Sequence, residues 1–469
     1  MLFLIAAALS TPVLAADEPT ALPDSTAADR SSVSVTVYNQ NLALVRETRS
    51  LSVPSRGTAT LRFMDVPASI NPRTVHLKSL TAPGALAVLE QNYEYDLISP
   101  SKLMEKYVGR KVELVEQADD LTTRTVEATL LSVNGGPVYQ IGDRIVLNQT
   151  GKVTLPSVPP DLVPRPTLVW TIGADRSGRH EVETSYLTAD MTWSADYVAV
   201  VDADDTGTDL TGWVTIENRS GASFRNATLK LVAGDVRRLV EKKYARAQPT
   251  LEAVAYAADQ FEEEAFFEYH LYTLERPTTV KDRQTKQISL LQAAGVPIRK
   301  QLLLAGQTGW YRSQYGDLTR NEKVAVILEF DNDKASGLGI PLPKGTVRVY
   351  KKDRSGAEQF VGEDAIDHTP RDEKISLLVG HAFDVVADRT QTDYQRMGSR
   401  KIEVAFEVSI RNRKDEDVTV KVREPVGGDW HVVESSHPGN KRDAGTLEFD
   451  VPVPARQEVR LTYRVRVKW

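Results

Sequence analysis

Seven histidines, 64 acidic residues and no cysteine set the range of chemistry open to this 469-residue chain. The histidines are His76, His180, His270, His368, His381, His431 and His437, and none stands in the H-E-x-x-H spacing that brings two imidazoles together around zinc. Glu268-x-His270 on a strand would put both side chains on one face, as in a metal site, but no third ligand follows from spacing. Ser435-Ser436-His437 offers a hydroxyl beside an imidazole, yet there is no G-x-S-x-G elbow, and adjacent residues of a strand point to opposite faces. Gly337-Leu338-Gly339 lacks the third glycine of a phosphate cradle. Paired carboxylates of glycosidase type are set by distance in space rather than along the chain, so the sequence does not single out a pair. We therefore expect no catalytic residue, no metal site and no cofactor.

The aromatic residues are the better binding candidates. Trp193 and Tyr197 lie four apart in Thr192-Trp193-Ser194-Ala195-Asp196-Tyr197, which on a strand places them on one face. Such a pair serves either as a platform for the apolar face of a sugar or, more often, as sandwich core. Phe266, Phe267, Tyr269 and Tyr272 follow the acidic run Glu262-Glu263-Glu264 and form a second candidate ligand-binding group.

The elements that must position these residues are strands. Val33-Ser34-Val35-Thr36-Val37-Tyr38 and Ile402-Glu403-Val404-Ala405-Phe406-Glu407-Val408-Ser409-Ile410 alternate apolar and polar side chains, so each has one core face and one wet face. Turn clusters such as Pro54-Ser55-Arg56-Gly57 and Asn134-Gly135-Gly136-Pro137 separate them, and no βαβ rhythm appears. The pattern predicts an all-β fold of several immunoglobulin-like β-sandwich modules plus a small β-barrel-like module, with a short partly helical insertion.

Residues 1–15 are expected to be a secretory signal cleaved after Ala15, on the apolar run Leu2–Leu9 and the small side chains that follow it. Residues 16–32 read as a disordered leader, too poor in apolar surface to order itself. An N-terminal β domain covers 33–98. The barrel-like module covers 99–158 and opens on a helix at Ser99–Tyr107, with Ser99 as cap and Pro100 at the first helical position. A proline-rich linker at 159–166 leads to one sandwich at 167–320, carrying the insertion 240–266, and a second at 321–469. Val214–Gly221 is answered by Val408–Asp415, each a strand ending in Asn before a turn and a new strand. The last strand alternates Val459, Leu461, Tyr463, Val465 and Val467 with Arg460, Thr462, Arg464, Arg466 and Lys468. A final strand of this kind also closes outer-membrane barrels, but with aromatics at 7% a sandwich strand fits better than an interfacial girdle.

Thr184-Ser185-Tyr186, Trp193 through Tyr197, Leu229 through Asp235, Glu268 through Tyr272, Arg276-Pro277-Thr278-Thr279 and Leu342-Pro343-Lys344-Gly345 together resemble a bacterial domain of unknown function. That domain also forms the C-terminal part of mucoidy-inhibitor-A-like proteins. The resemblance spans roughly 167–469; it implies β-rich domains in an exported or envelope setting and brings no catalytic residue with it. Unlike those members, this chain has no heptad coiled coil before the domain.

No window after the N-terminal apolar run approaches the roughly 18 consecutive apolar residues of a membrane helix. A net charge of −6 without a basic block argues against nucleic acid as a partner. The expectation is an exported bacterial protein, periplasmic or at the cell surface, that binds an envelope protein or a surface polysaccharide without catalysis. The alternative is a carbohydrate- or peptide-processing hydrolase whose carboxylates meet between the two C-terminal modules.

Overall fold

The computed structural model describes residues 20–117, 123–147, 152–159, 161–234, 236–237 and 261–469. The expected signal at 1–15 and most of the insertion at 240–266 lie outside them. The fold is all-β: its five sheets build two large cores and one small one.

The first large core is built chiefly by three sheets. In one, strand Leu42–Val53 pairs on one side with Arg30–Tyr38 and on the other with Gly178–Thr188. Arg30–Tyr38 in turn lies parallel to Phe224–Ala233. A second sheet carries Met191–Val201 antiparallel to Gly207–Asn218 and parallel to Gly345–Lys352. The third, from Gly57–Met64, Thr167–Ala174 and Leu86–Glu94, adds Phe63 and Trp170, whose ring centroids are 5.0 Å apart. Strands from 33–98 thus alternate in one ladder with strands from beyond residue 167, which corrects the expectation of a separate N-terminal domain. Their apolar faces fill one core, and neither set alone could bury its own.

The leader is also corrected. Thr20–Ala21 pairs parallel with Ala59–Thr60, Leu22 and Ser25 are buried, and Ser25 N–H donates to Arg62 O at 2.8 Å. One buried leucine and a short ladder order a segment whose composition reads as disordered.

The helix is found at Pro100–Lys106, with Ser99 Oγ accepting the Lys102 N–H at 3.2 Å. The five strands that follow it, Lys111–Gln117, Thr123–Ser132, Val138–Ile141, Arg144–Leu147 and Lys152–Thr154, enclose a core of their own around Leu114, Leu130 and Tyr139. The proline-rich stretch after them is not a free spacer. Val163 N–H donates to Asp96 O and Ile98 N–H to Val163 O, so the way in and the way out form a paired stem.

The second large core sits inside a nine-stranded sheet that rolls nearly closed. Phe449 and Tyr463, on strands Thr446–Val453 and Glu458–Lys468, meet across it with centroids 5.2 Å apart. On the outer face Arg464 pairs with Asp393 at 2.6 Å and Glu434 at 3.2 Å, and Arg466 with Glu403 at 2.7 Å. A charged outside over an apolar inside is the reverse of a lipid-facing barrel.

The boundary expected at 320/321 falls within a strand. Asp317–Asp331 and Lys374–Arg396 each run through both large cores: Phe330 and Leu377 lie in the first, Val324 and Val385 in the second. The segment between them returns to the first unit as Gly345–Lys352 and Glu358–Ile366. The two units are therefore joined by a continuous antiparallel pair rather than a linker.

The Asn echo is structural. Asn218 and Asn412 are fully buried; each accepts the N–H two residues on, at 3.1 and 3.0 Å, and donates to the carbonyl four residues on, at 2.9 and 2.8 Å. The same side chain mimics the same backbone turn in both units.

Candidate functional site

Trp193 and Tyr197 do share a face, and it is the buried one. Trp193 is 3% exposed and donates its indole N–H to Val232 O at 3.1 Å; Tyr197 is fully buried and donates to Pro343 O at 2.7 Å. Gly212 lies opposite Tyr197, and a Cβ there would stand 3.2 Å from the ring, so the absent side chain makes room for the tyrosine. Tyr272 joins them, 6.5 Å from Trp193 in an edge contact, with its hydroxyl donating to Pro341 O at 3.2 Å. Burial pushes both tyrosines well above the ordinary phenol value. The platform expectation is corrected for all three: they are core, and their polar tips are tied to backbone carbonyls.

The remaining aromatics sit on a hairpin. Phe261–Phe266 is a strand, not a helix, and pairs with Tyr269–Leu274. The Phe266 side chain lies outside the described residues. Phe267 is 84% exposed at the turn with φ 59°, and its ring is 6.2 Å from the half-buried Tyr269. His270 bonds Glu263 at 2.8 Å, across the hairpin, rather than forming a site with Glu268. Among the described residues no cluster of three or more His, Asp or Glu side chains could hold a metal.

The serine–histidine neighbours are structural as well. Ser436 Oγ lies 2.9 Å from His437 Nδ1 and accepts the Thr462 N–H, which ties a turn. A buried pair the sequence did not suggest, Ser79 and His180 at 3.0 Å, is closed off from solvent, with the other ring nitrogen at Arg176 O.

What the structure does build is a groove of about 280 Å³ where the two units meet. One wall comes from the first unit: Val201 at the end of its strand and Val349 beside it. The other comes from Leu302, Val326 and Ala382 of the rolled sheet. Alternation explains the lining, since each of these residues faces away from its own strand's solvent side.

The rim is partly apolar. Val361 is 43% exposed and Phe383 is 94% exposed; Phe360 and Leu378, on the same two strands, are also exposed. At one end the Asp202–Gly207 turn presents Asp205 in the left-handed conformation, φ 59°, which aspartate tolerates. Its two oxygens accept from Lys300 Nζ at 2.6 Å and from Lys351 Nζ. Burial alone would raise the Asp205 carboxyl; the two ammonium groups outweigh that and hold it below its ordinary value. The hydrolase alternative looked for an acidic pair with a raised pKa between the C-terminal modules. Of the two aspartates that line it, Asp205 is lowered and engaged by two lysines, and Asp384 stands at the opposite end.

Residues 182–469, well over half the chain and including the whole lining of the groove, match the domain of unknown function DUF4139. The chain belongs to the DUF4139 family. No curated protein matches it. Within the DUF4139 match lie both Asn-capped hairpins, the rolled sheet and every groove residue named above. The third sheet's Gly57–Met64 and the small module lie N-terminal to it.

Proposed function

We propose that this DUF4139 chain is a non-catalytic binding module of the bacterial cell envelope that engages a protein partner through the groove between its two large units. Supporting this reading above all is the apolar groove with Val361 and Phe383 exposed at its rim, since an exposed apolar patch on a folded domain marks an interaction site. An aliphatic floor suits a partner's apolar side chain better than a sugar, which stacks on open aromatic rings, and the candidate rings Trp193, Tyr197 and Tyr272 are buried. The envelope setting rests on the apolar N-terminal run and on the likeness to mucoidy-inhibitor-A-like proteins. A role in hydrolysis finds no support in the groove, where Asp205 is held ionised by Lys300 and Lys351.

The experiment is a crosslinking pull-down with the chain from Ala16, against solubilised envelope and purified surface polysaccharide in parallel. Retention of a specific protein, competed by the unlabelled chain, supports the reading. Retention of polysaccharide alone, or of nothing by a well-folded chain, counts against it.

A further inference from the structure

We infer that the groove recognises the free C-terminus of a partner chain that ends in an apolar residue, the last side chain filling the apolar floor and the α-carboxylate meeting Lys300 and Lys351. This rests on the groove being the binding site, and it adds the chemistry of the partner.

The charge balance carries it. Of the groove-lining side chains at the Asp205 end two are lysines and one is an aspartate, so the lining there carries one positive charge in excess; Asp202 and Asp204, on the same turn, do not line the groove. Lys300 spends one N–H on Asp205, while Lys351 spends one on Asp205 and one on Ala203 O at 3.0 Å. An ammonium has three donors, so both lysines have N–H groups left for an incoming acceptor. The opposite end is balanced: Lys414 pairs with Glu416 at 3.1 Å and Arg456 with Asp415 at 2.7 Å, and the Asp384 carboxylate stands with Arg413 in the same depression. The excess positive charge is therefore local, at the mouth of an apolar slot.

Size and shape select among anions that carry an apolar group. The slot's volume, about 280 Å³, lies at or below the small end of ligand pockets, roughly 300 Å³ and up, and suits one or two side chains. It is open along the rim, where Phe383 is almost fully exposed. A fatty acid lying there would leave much of its length in water. A peptide would bury its last side chain, cover Val361 and Phe383 with the preceding residues, and place a carboxylate within reach of the lysines. Capture of a chain terminus by a pre-set donor group is a recurring mode of peptide recognition.

The test uses N-terminally labelled heptapeptides Gly-Ser-Gly-Ser-Ala-Val-Phe, one with a free carboxylate and one amidated, titrated by fluorescence anisotropy against the full chain, with decanoate as competitor. The free acid is expected to bind more tightly than the amide by roughly tenfold, the worth of one hydrogen bond to a charged group. Lys300→Met removes the excess charge and is expected to bring the two peptides to equal affinity. Val361→Trp, which fills the slot from an exposed position, and Phe383→Ala, which strips the rim, are expected to weaken both. Equal binding of acid and amide by the unaltered chain would overturn the terminus inference and leave the groove standing as a protein site. Decanoate binding more tightly than the peptide would overturn it in favour of a lipid chain. No binding of either peptide, with the envelope partner still captured by the Val361→Trp chain, would remove both this inference and the groove reading.

Discussion

The rolled sheet is pinned by a buried ion pair, and breaking it from either side should cost far more than removing it whole. Arg389 and Glu424 are both fully buried and bonded to each other. Glu424 also accepts from the Tyr311 hydroxyl at 3.1 Å, and Tyr311 meets the Tyr463 hydroxyl at 3.2 Å. The guanidinium lies 4.8 Å from the centre of the Trp310 ring. Burial would lower the arginine pKa, but the Glu424 charge outweighs it and pushes the guanidinium up, so the arginine stays charged. Arg389→Met leaves Glu424 without its counter-ion in the core, which costs about 3–5 kcal/mol. Glu424→Leu leaves the arginine, whose Nε and Nη2 have no hydrogen-bond partner among the described residues, with only the longer 3.9 Å ion pair to Glu322, and should cost an amount toward the lower end of the same range. If the two losses were independent, the double variant would lose about 6–10 kcal/mol. Because each single loss is mostly the penalty for an unpaired charge, Arg389→Met/Glu424→Leu should lose only about 0–2 kcal/mol. Urea unfolding followed by tryptophan fluorescence, with Trp310 as a local reporter, measures all four proteins. Additive losses would refute the reasoning, since they would mean that the two groups act independently, and so would single losses below about 1 kcal/mol, which would mean that water reaches the pair.

Asn412→Ala should cost about 2–3 kcal/mol in the same urea titration, because Glu416 O and Val453 O are left without their donor and the Lys414 N–H without its acceptor. Trp193→Ala should cost about 3–5 kcal/mol while leaving the captured partner unchanged per folded molecule; lost capture at an unchanged melting temperature would return Trp193 to the surface. Asp388 is held at about 2, against an ordinary 3.8, chiefly by its bonds to Arg411, with the Asn321 N–H adding to them. A lowered carboxyl contributes stability that is present above its unfolded value and lost as pH falls through the folded one. Asp388→Asn should therefore flatten the fall in urea midpoint between about pH 4 and pH 2, and an unchanged slope there would show that this carboxylate does not carry it.

Local pattern was legible where one strand decides it. The alternation of Val33–Tyr38 and Ile402–Ile410 gave their buried faces, Ser99-Pro100 gave the helix start, and the repeated Asn gave two matching hairpins. What was not legible depends on partners far apart in the chain. Ser34–Tyr38 pairs with Thr228–Val232, and Ala195–Val201 with Gly345–Lys351, and nothing in either segment names its partner. The single core of the first unit and the missing boundary at 320 both follow from such pairings. The four-residue spacing of Trp193 and Tyr197 fixed a common face but not which face, because core and platform use the same pattern. The groove was invisible for the same reason. Val201, Leu302, Val349 and Ala382 look like ordinary strand residues; Lys351 reaches Asp205 because Gly345–Lys352 runs beside Met191–Val201, and Lys300 joins them from the rolled sheet's Arg299–Ala305.

The most direct test of the groove reading compares the unaltered chain with Val361→Trp in the envelope pull-down, with melting temperature measured on both. Loss of the captured protein at an unchanged melting temperature is the predicted result. Undiminished capture by a well-folded Val361→Trp chain would place the binding surface elsewhere.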